Sequence, residues 1–291
     1  MVKLIAVDLD GTLLNDEKKI SKRNTEAIQF AQSQGIEVVV ATGRAHFDVE
    51  AIFQQTDIQP WIISANGATI HQPNGEPYYS NSIPQQEAKE ILEWLEQEDY
   101  YYEVSSNDSL YTPIYGRSLL NQEMEQIHQG CPELSMEEMK QSAEKQYSQT
   151  GFVFIHSYKE LLLQHIDYYN ILAYSFDKVK LQKLWKKFED YENIAIVKSH
   201  IHNFEFQHQD VSKGNALRVL ANKLKINLVD SAAVGDNFND LSMFEIVGKS
   251  AAMGNASEDV KKHCDFVTLT NKEDGVAYFI DSLIQQIQCM S

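Results

Sequence analysis

The sequence predicts an α/β protein: a mostly parallel sheet core flanked by helices, interrupted by an inserted α+β segment. Three observations predict it. Residues 1–80 alternate short apolar runs with helical periodicity, the pattern of successive βαβ units. The last third resumes the same alternation. Between them lie aromatic, alternating stretches whose helices do not intervene regularly, which sets residues 82–203 apart as an insertion and leaves 1–81 and 204–291 as one core.

Each element has its own reason. Val2–Val7 is a short apolar run that reads as a buried strand and leads straight into Asp8-Leu9-Asp10-Gly11-Thr12. Ser21 can cap a helix with its hydroxyl, and Ile20, Ala27, Ile28 and Ala31 then recur at helical spacing until Gly35. Ile36–Ala41 is a second strand, ending at Thr42-Gly43-Arg44. A helix from about Ala45 to Gln55 leads to a third strand, Trp61–Ser64, which ends at Asn66-Gly67-Ala68. Asn74-Gly75 marks a hairpin turn.

In the insertion, Pro84 opens a helix with Ala88, Ile91, Leu92 and Leu95 on one face. Tyr100–Val104, Tyr168–Phe176 and Ile194–Lys198 read as strands, with a helix at Asp177–Asp190. The run Tyr100-Tyr101-Tyr102, with Tyr111 and Tyr115, reads as sheet packing rather than a pocket for an aromatic substrate. Leu161-Leu162-Leu163 reads as core. Ile201–Gln207 reads as the crossing back to the core, with His200, His202 and His208 solvated rather than converging on zinc. Beyond it, Ser212-Lys213-Gly214 opens a helix whose Ala216, Leu217, Leu220, Ala221 and Leu224 face inward. Val229–Val234 is a strand ending in Gly235-Asp236. Ser250–Met253 precedes Gly254-Asn255-Ala256, and Asp265–Leu269 is the last strand before a closing helix.

Composition excludes several function classes. The 291 residues allow about two domains. No apolar run approaches the roughly 20 residues of a membrane span, and Met1-Val2-Lys3 leads into the first strand without a cleavable leader. Cys131, Cys264 and Cys289 are far apart and odd in number, as in reduced cytoplasmic proteins. Asp plus Glu (42) exceed Lys plus Arg (25), a balance of −17 that repels nucleic acid. Neither a G-x-G-x-x-G nor a G-x-x-x-x-G-K-[ST] fingerprint occurs. No pattern specifies an oligomeric state.

Four elements carry polar signatures: Asp8 with Asp10, Thr42, Lys213, and Asp236 with Asn239 and Asp240. Three lie at strand ends and the fourth opens a helix, so an open parallel sheet gathers them in one cleft beyond its carboxyl edge. Asp8, Asp10 and Asp236 offer only hard oxygen, which favours Mg²⁺ over Zn²⁺. Two unit charges 4 Å apart repel by about 4 kcal/mol at an effective dielectric of 20. A phosphate among these carboxylates therefore needs a divalent cation in addition to Lys213. With that cation, one carboxylate can attack phosphorus and the other can protonate the leaving oxygen and later deprotonate water. Thr42 and Lys213 can hold the phosphoryl oxygens on which charge develops.

Asp8-Leu9-Asp10-Gly11-Thr12, Ala41-Thr42-Gly43-Arg44, Val211-Ser212-Lys213-Gly214 and Gly235-Asp236-Asn237-Phe238-Asn239-Asp240 resemble the four signature motifs of the haloacid dehalogenase superfamily. The long insertion, with Ser64-Ala65-Asn66-Gly67-Ala68 and Ala252-Met253-Gly254-Asn255-Ala256, is similar to the Cof-like, type IIB phosphatases. The resemblance implies a Rossmann-like hydrolase core with a mobile α/β cap that closes over substrate and selects it. It implies Asp8 as the nucleophile and Asp10 as the general acid/base. It implies Mg²⁺ on the Asp8 carboxylate, the Asp10 main-chain carbonyl and Asp236, and phosphate on the Leu9 N–H, Thr42, Gly43, Lys213 and Asn239. Asp240 then orients Lys213 or metal-bound water, a first-turn helix acid being the alternative. Asn66 shapes a loop lining the cleft. Arg44 contacts substrate or makes an ion pair at its helix start. The lead-in Glu205-Phe206-Gln207-His208-Gln209-Asp210 departs from the family's usual Glu-x-x-Pro-x-Gly type pattern.

The resulting expectation is a phosphatase of small phosphorylated metabolites: sugar phosphates, nucleotides or phosphorylated cofactors. A phosphosugar mutase would use the same motifs, passing the phosphoryl group to a sugar hydroxyl instead of water. A non-catalytic phosphometabolite sensor would have lost a nucleophile or metal ligand, and every such position is filled here.

Overall fold

The computed structural model describes residues 2–54, 56–106, 109–148 and 151–288. The chain forms two compact units, Met1–Ser80 with Val211–Ser291, and Asn81–Asp210.

The first unit begins with β1 (Leu4–Val7), α1 (Lys22–Ser33), β2 (Glu37–Ala41), α2 (His46–Phe53), β3 (Trp61–Ser64), β4 (Thr69–His71) and β5 (Pro77–Ser80). Ser21 caps α1, its hydroxyl accepting from the Asn24 N–H at 3.0 Å, and Asn24, Ala27, Ile28 and Ala31 form the buried face. β4 and β5 pair antiparallel across the turn in which Gly75 takes a left-handed φ of +84°.

The second unit comprises α3 (Gln85–Gln97), β6 (Tyr101–Ser105), β7 (Leu110–Pro113), α4 (Gly116–Gly130), α5 (Met136–Tyr147), β8 (Phe152–Ile155), α6 (Lys159–Gln164), β9 (Asn170–Tyr174), α7 (Lys178–Phe188), β10 (Ile194–His200) and β11 (Asn203–His208). Its six strands run in the order β10-β11-β9-β6-β7-β8. Because successive strand residues face opposite ways, Tyr102, Val104 and Ile171 join one core with Leu92 of α3 and Leu184 of α7. Tyr101 and Tyr174 join another with Leu120 of α4 and Met139 of α5. Tyr100, Tyr101 and Tyr102 are all buried in these cores.

Three expectations are corrected in this unit. The chain leaves it at Asp210, not at 203, because Phe204 and Phe206 alternate with polar residues and β11 pairs antiparallel with both β9 and β10. His202 and His208 are therefore part of the unit rather than solvated linker. The His202 ring lies 4.6 Å from that of Phe176, and His208 Nδ1 is 3.2 Å from Asn81 Nδ2. The side chain of His200 lies outside the described residues. Leu161 is buried but Leu163 is 81% exposed, since the six-residue α6 has only one inward face.

The chain then completes the first unit with α8 (Lys213–Leu224), β12 (Ser231–Gly235), α9 (Leu241–Phe244), β13 (Lys249–Ala252), α10 (Glu258–Lys261), β14 (Phe266–Val267) and α11 (Gly275–Gln288). The last strand is shorter than Asp265–Leu269. The sheet runs β14-β13-β12-β1-β2-β3-β4-β5, with every pairing parallel except β3–β4 and β4–β5, so that β4 alone runs against the others. Ile5, Val7, Val38 and Val40 face α1 and α11, while Leu4, Ala6, Val39 and Ala41 face α8. The sheet is thus covered on both sides, as parallel sheets require. From β1 the chain winds toward β2 and β3, and from β12 it winds the opposite way, so strand order reverses between β1 and β12. That is where an open α/β sheet forms a binding crevice. Val7 is in register with both Val234 and Val40, which brings the carboxyl ends of β12, β1 and β2 out level.

Cys131 and Cys264 are free, and Cys289 lies outside the described residues. Among the described residues no helix is long and apolar enough to cross a membrane.

Candidate active site

Asp8 is the first residue past β1, held on the sheet by its N–H donating to the Val234 carbonyl at 3.0 Å. Its side chain is buried, and its Oδ1 accepts from Lys213 Nζ at 2.6 Å. The same ammonium donates to Asp240 Oδ1 at 2.7 Å. Lys213 and Asp240 are 1% and 0% exposed, so this chain of charges is dry. Ser212 caps α8 just before Lys213, its hydroxyl accepting from the Asn215 N–H at 3.0 Å. A cation in a first helical turn opposes the helix dipole. Two buried carboxylates offset that cost here.

Asp240 fills both roles that its sequence position offered. Its Oδ2 accepts from the N–H groups of Asp236 and Asn237, each at 3.0 Å, and so closes a capping box after β12. Its Oδ1 aims Lys213. Asp236 accepts from the Thr12 hydroxyl at 3.1 Å. Gly11 lies against the same carboxylate: its φ is +79°, and a Cβ there would sit 2.4 Å from Asp236 Oδ2. Only glycine permits this approach. The Gly11 carbonyl accepts from Asn255 Nδ2 at 2.8 Å, and Asn255 Oδ1 accepts from the Asn271 N–H at 3.0 Å.

Thr42 follows β2 and is buried, its N–H donating to the Ile63 carbonyl at 2.9 Å and its hydroxyl accepting from the Arg44 N–H at 3.2 Å. Asn66 donates its N–H to the Thr42 carbonyl at 2.9 Å and sits in a left-handed conformation, φ 56°. Its Oδ1 accepts from Asn239 Nδ2 at 3.1 Å, joining the loops after β3 and β12. Gly43 packs against the same amide, where a Cβ would come within 3.1 Å of Asn66 Oδ1. Leu9 anchors its loop through a fully buried side chain. Asp10 points elsewhere. Arg44 grips it through two bonds, Nε to Oδ2 at 2.6 Å and Nη2 to Oδ1 at 2.7 Å, with Lys18 Nζ at 3.4 Å from Oδ1. Arg44 therefore makes an ion pair with Asp10, the second of its two expected roles.

The electrostatics are unbalanced. Asp8, Asp236 and Asp240 can each bring an oxygen within 4.8 Å of the others. Among the described residues, Lys213 is the one cation in contact with this cluster. Burial pushes the Asp8 carboxyl up to about 8; Lys213 opposes the rise, while Asp240 and Asp236 add to it. Asp236 is raised too, by burial and then by Asp240. Burial alone would lower Lys213, but Asp240 and Asp8 more than reverse this. Asp10 goes the other way: burial would raise it, and the Arg44 hydrogen bonds and charge outweigh that and hold it below the usual range. A divalent cation fits such a donor set, since hard oxygen in negative surplus is what such a cation binds. Asp240 has both oxygens engaged by the protein, which leaves Asp8 and Asp236 as the carboxylates able to hold it.

Sequence reasoning named neither Thr12 nor Asn255 as a site residue. Both stood inside recognisable segments, but nothing local shows that Thr12 reaches Asp236 across 224 residues or that Asn255 holds the Gly11 carbonyl.

The chain matches the family of haloacid dehalogenase-like hydrolases over residues 5–280. It is similar to the phosphatase YwpJ of Bacillus subtilis, 51% identical over 97% of this chain and 100% of that protein. It is also similar to the 5-amino-6-(5-phospho-D-ribitylamino)uracil phosphatase YwtE of the same organism, 39% identical over 97% of this chain and 98% of the relative. Among solved structures, a haloacid dehalogenase-like hydrolase from B. subtilis matches with a TM-score of 0.80 at 51% identity, covering 96% of this chain and 99% of that one. TM0651 from Thermotoga maritima matches with a TM-score of 0.76 at 28% identity, covering 97% of each.

Proposed function

The chain belongs to the haloacid dehalogenase-like hydrolases, and from that premise we propose that it is a Mg²⁺-dependent phosphatase that hydrolyses small phosphomonoesters through an aspartyl-phosphate on Asp8. One observation carries the reading: a dry Asp8–Lys213–Asp240 chain lies beside Asp236 with more negative charge than its single ammonium neutralises.

The Asp8 carboxylate, the Asp10 main-chain carbonyl and Asp236 would hold the cation. When bound, it neutralises the cluster and withdraws charge from the phosphoryl oxygens. Asp8 attacks phosphorus; its oxygen–phosphorus bond forms as the ester oxygen departs with a proton from Asp10. Water then attacks the phosphorus of the aspartyl-phosphate, giving its proton to Asp10 and releasing the Asp8 carboxylate. Lys213, held straight by Asp240, and the Thr42 hydroxyl stabilise charge on the phosphoryl oxygens, with the N–H groups of Leu9 and Gly43 and the Asn239 amide as further donors. The insertion selects the leaving group. Free cysteines suit the reducing cytoplasm, where such metabolites are held.

Phosphate release from an aryl phosphate should require Mg²⁺, stop with EDTA and vanish in Asp8→Asn; substantial residual release by that variant refutes the covalent role. A panel of sugar phosphates, nucleotides, phosphorylated cofactors and the ribitylaminouracil phosphate named for YwtE, ranked by kcat/KM, would identify the substrate class. Conversion of a sugar 1-phosphate without net phosphate release would instead mark a mutase.

A further inference from the structure

We propose that a groove beside α7, wholly within the inserted unit, binds a nucleoside polyphosphate at a site that shares no residue with the active site. The groove encloses about 730 Å³ between α7 and the turn joining β10 to β11. That lies within the roughly 300–1,000 Å³ of small-molecule sites. Lys178, Trp185 and Lys186 line it from α7, Lys198 from β10, Ile201 from the turn and Phe204 from β11. Among the described residues no carboxylate lines it.

Helical spacing divides the lysines of α7 between two flanks. Lys180 and Lys183 lie on one, in a groove they share with Glu98, Glu123 and Asp177. Lys180 Nζ is 2.9 Å from Glu123 Oε2 and 4.5 Å from the centre of the Tyr100 ring, and Lys183 pairs with Glu98. Lys178 and Lys186 lie on the other flank. Lys198 joins them because it keeps the face of β10 that packs Ile194 and Ile196 against the core under α7. Among the described residues, none of these three ammonium groups has a hydrogen bond, an ion pair or a ring contact. In a chain with 42 acidic and 25 basic residues, three neighbouring cations without an acid select an anion of more than one charge. The apolar surface sets the rest of the ligand. Trp185 is 40% exposed, with its ring 5.4 Å from that of buried Phe204, and Ile201 is exposed beside them. An open indole offers a stacking face to a heteroaromatic ring, with the phosphate chain then among the lysines. A bare phosphate would leave the indole unused, and an uncharged ring would leave the lysines unused. No carboxylate, hydroxyl or thiol lines the groove, so the ligand is held rather than hydrolysed.

The test titrates the full chain with ATP in EDTA, where the phosphatase reading allows no turnover, and reads affinity by calorimetry and location by indole fluorescence. Saturable binding should quench the fluorescence. Trp185→Phe should abolish the quenching yet weaken binding by less than about fivefold, since a ring remains, whereas Trp185→Ala should weaken it by about tenfold. Lys178→Ala, Lys186→Ala and Lys198→Ala combined should weaken it by about tenfold or more, at roughly two- to fivefold for each exposed charge contact. Lys183→Ala removes the same charge from the other flank and should change Kd by less than about twofold. Tripolyphosphate, which lacks the base, should bind about tenfold more weakly than ATP. Absence of heat and quenching at millimolar ATP would overturn the proposal. Binding that survives the combined lysine substitutions would lie elsewhere, the active site included, and would overturn it too. So would an equal loss in Lys183→Ala, which reports net charge alone, or tripolyphosphate binding as tight as ATP, which leaves the indole without a role. All the substituted side chains are exposed except that of Trp185, which is half-exposed; if Trp185→Ala melts early, Trp185→Phe carries the comparison.

Discussion

Replacing Asp236 by Asn should make the cation-free protein more stable, not less. Asp8, Asp236 and Asp240 can bring oxygens within 4.8 Å of one another, and at that separation each like-charge pair repels by about 3.5 kcal/mol at an effective dielectric of 20. Above pH 8, where Asp8 is ionised as well, Asp236→Asn removes two such repulsions and one attraction to Lys213, a net relief of about one pair. Asp236 is half-buried, so solvent screening reduces this to about 1 kcal/mol. The Thr12 hydroxyl, 3.1 Å from Asp236 Oδ1, can still donate to the Asn carbonyl, so no buried donor is orphaned. A gain of about 1 kcal/mol raises Tm by roughly 2–4 °C in a protein of this size. With Mg²⁺ at a hundred times its Kd, the wild type gains about 2.7 kcal/mol, while the variant, lacking a ligand, gains little. Thermal unfolding in EDTA and then in Mg²⁺ should therefore invert the order of the two proteins. A variant that melts below wild type in EDTA, or gains as much from Mg²⁺, would refute the reasoning.

Two further outcomes follow from the same site. The Asp8 carboxyl sits near 8 in the fold against an ordinary 3.8, so the folded state binds an extra proton between those values, and its stability is present at low pH and lost as pH rises through 8. His71, which burial and then His46 depress from 6.5 to about 4, acts with the opposite sign below 6.5. In EDTA, the unfolding free energy measured by denaturant titration should thus decline between pH 6.5 and 8 by up to about 1.4 kcal/mol per unit, and the slope should flatten with Mg²⁺; a rise over that window would contradict the Asp8 assignment. Gly67→Ala should cost about 2 kcal/mol or more and at least tenfold in kcat, because φ is +105° and the new Cβ would meet the Ser212 carbonyl at 2.2 Å, directly before Lys213. Unchanged Tm and turnover would show that this loop does not set the position of Lys213.

The parts of the fold that were legible in the sequence were those whose signals are local. β1, β2 and β12 are short buried apolar runs, each ending in a polar signature, and their parallel pairing aligns Asp8, Thr42 and Asp236 along one edge. Ser21 and Pro84 start helices where their backbone chemistry allows. The insertion was harder to read. β8 is an edge strand whose Phe154 is exposed, and α5 buries Met139, Ala143 and Tyr147 at helical spacing among mostly polar residues, so the apolar signal of each is thin. The alternation in Asn203–His208 is a strand signal, but its polar partners disguise it as a linker. In the site, residue types and strand ends pointed to the acids, the ammonium and the hydroxyl that the fold gathers at one sheet edge. What they left open was pairing between distant residues: Arg44 with Asp10, Thr12 with Asp236, and Asn66 with Asn239. No sequence spacing encodes those distances.

The most direct measurement is chemical trapping of the reaction intermediate. Protein quenched in acid during turnover of a phosphomonoester with Mg²⁺, then digested and analysed by mass spectrometry, should carry base-labile phosphate on Asp8 and nowhere else. With an aryl phosphate, whose leaving group departs without a proton, the phosphate should accumulate when Asp10 is replaced by Asn and water can no longer be deprotonated. Phosphate on another side chain, or wild-type turnover with no phosphorylated peptide even when Asp10 is replaced, would contradict the account.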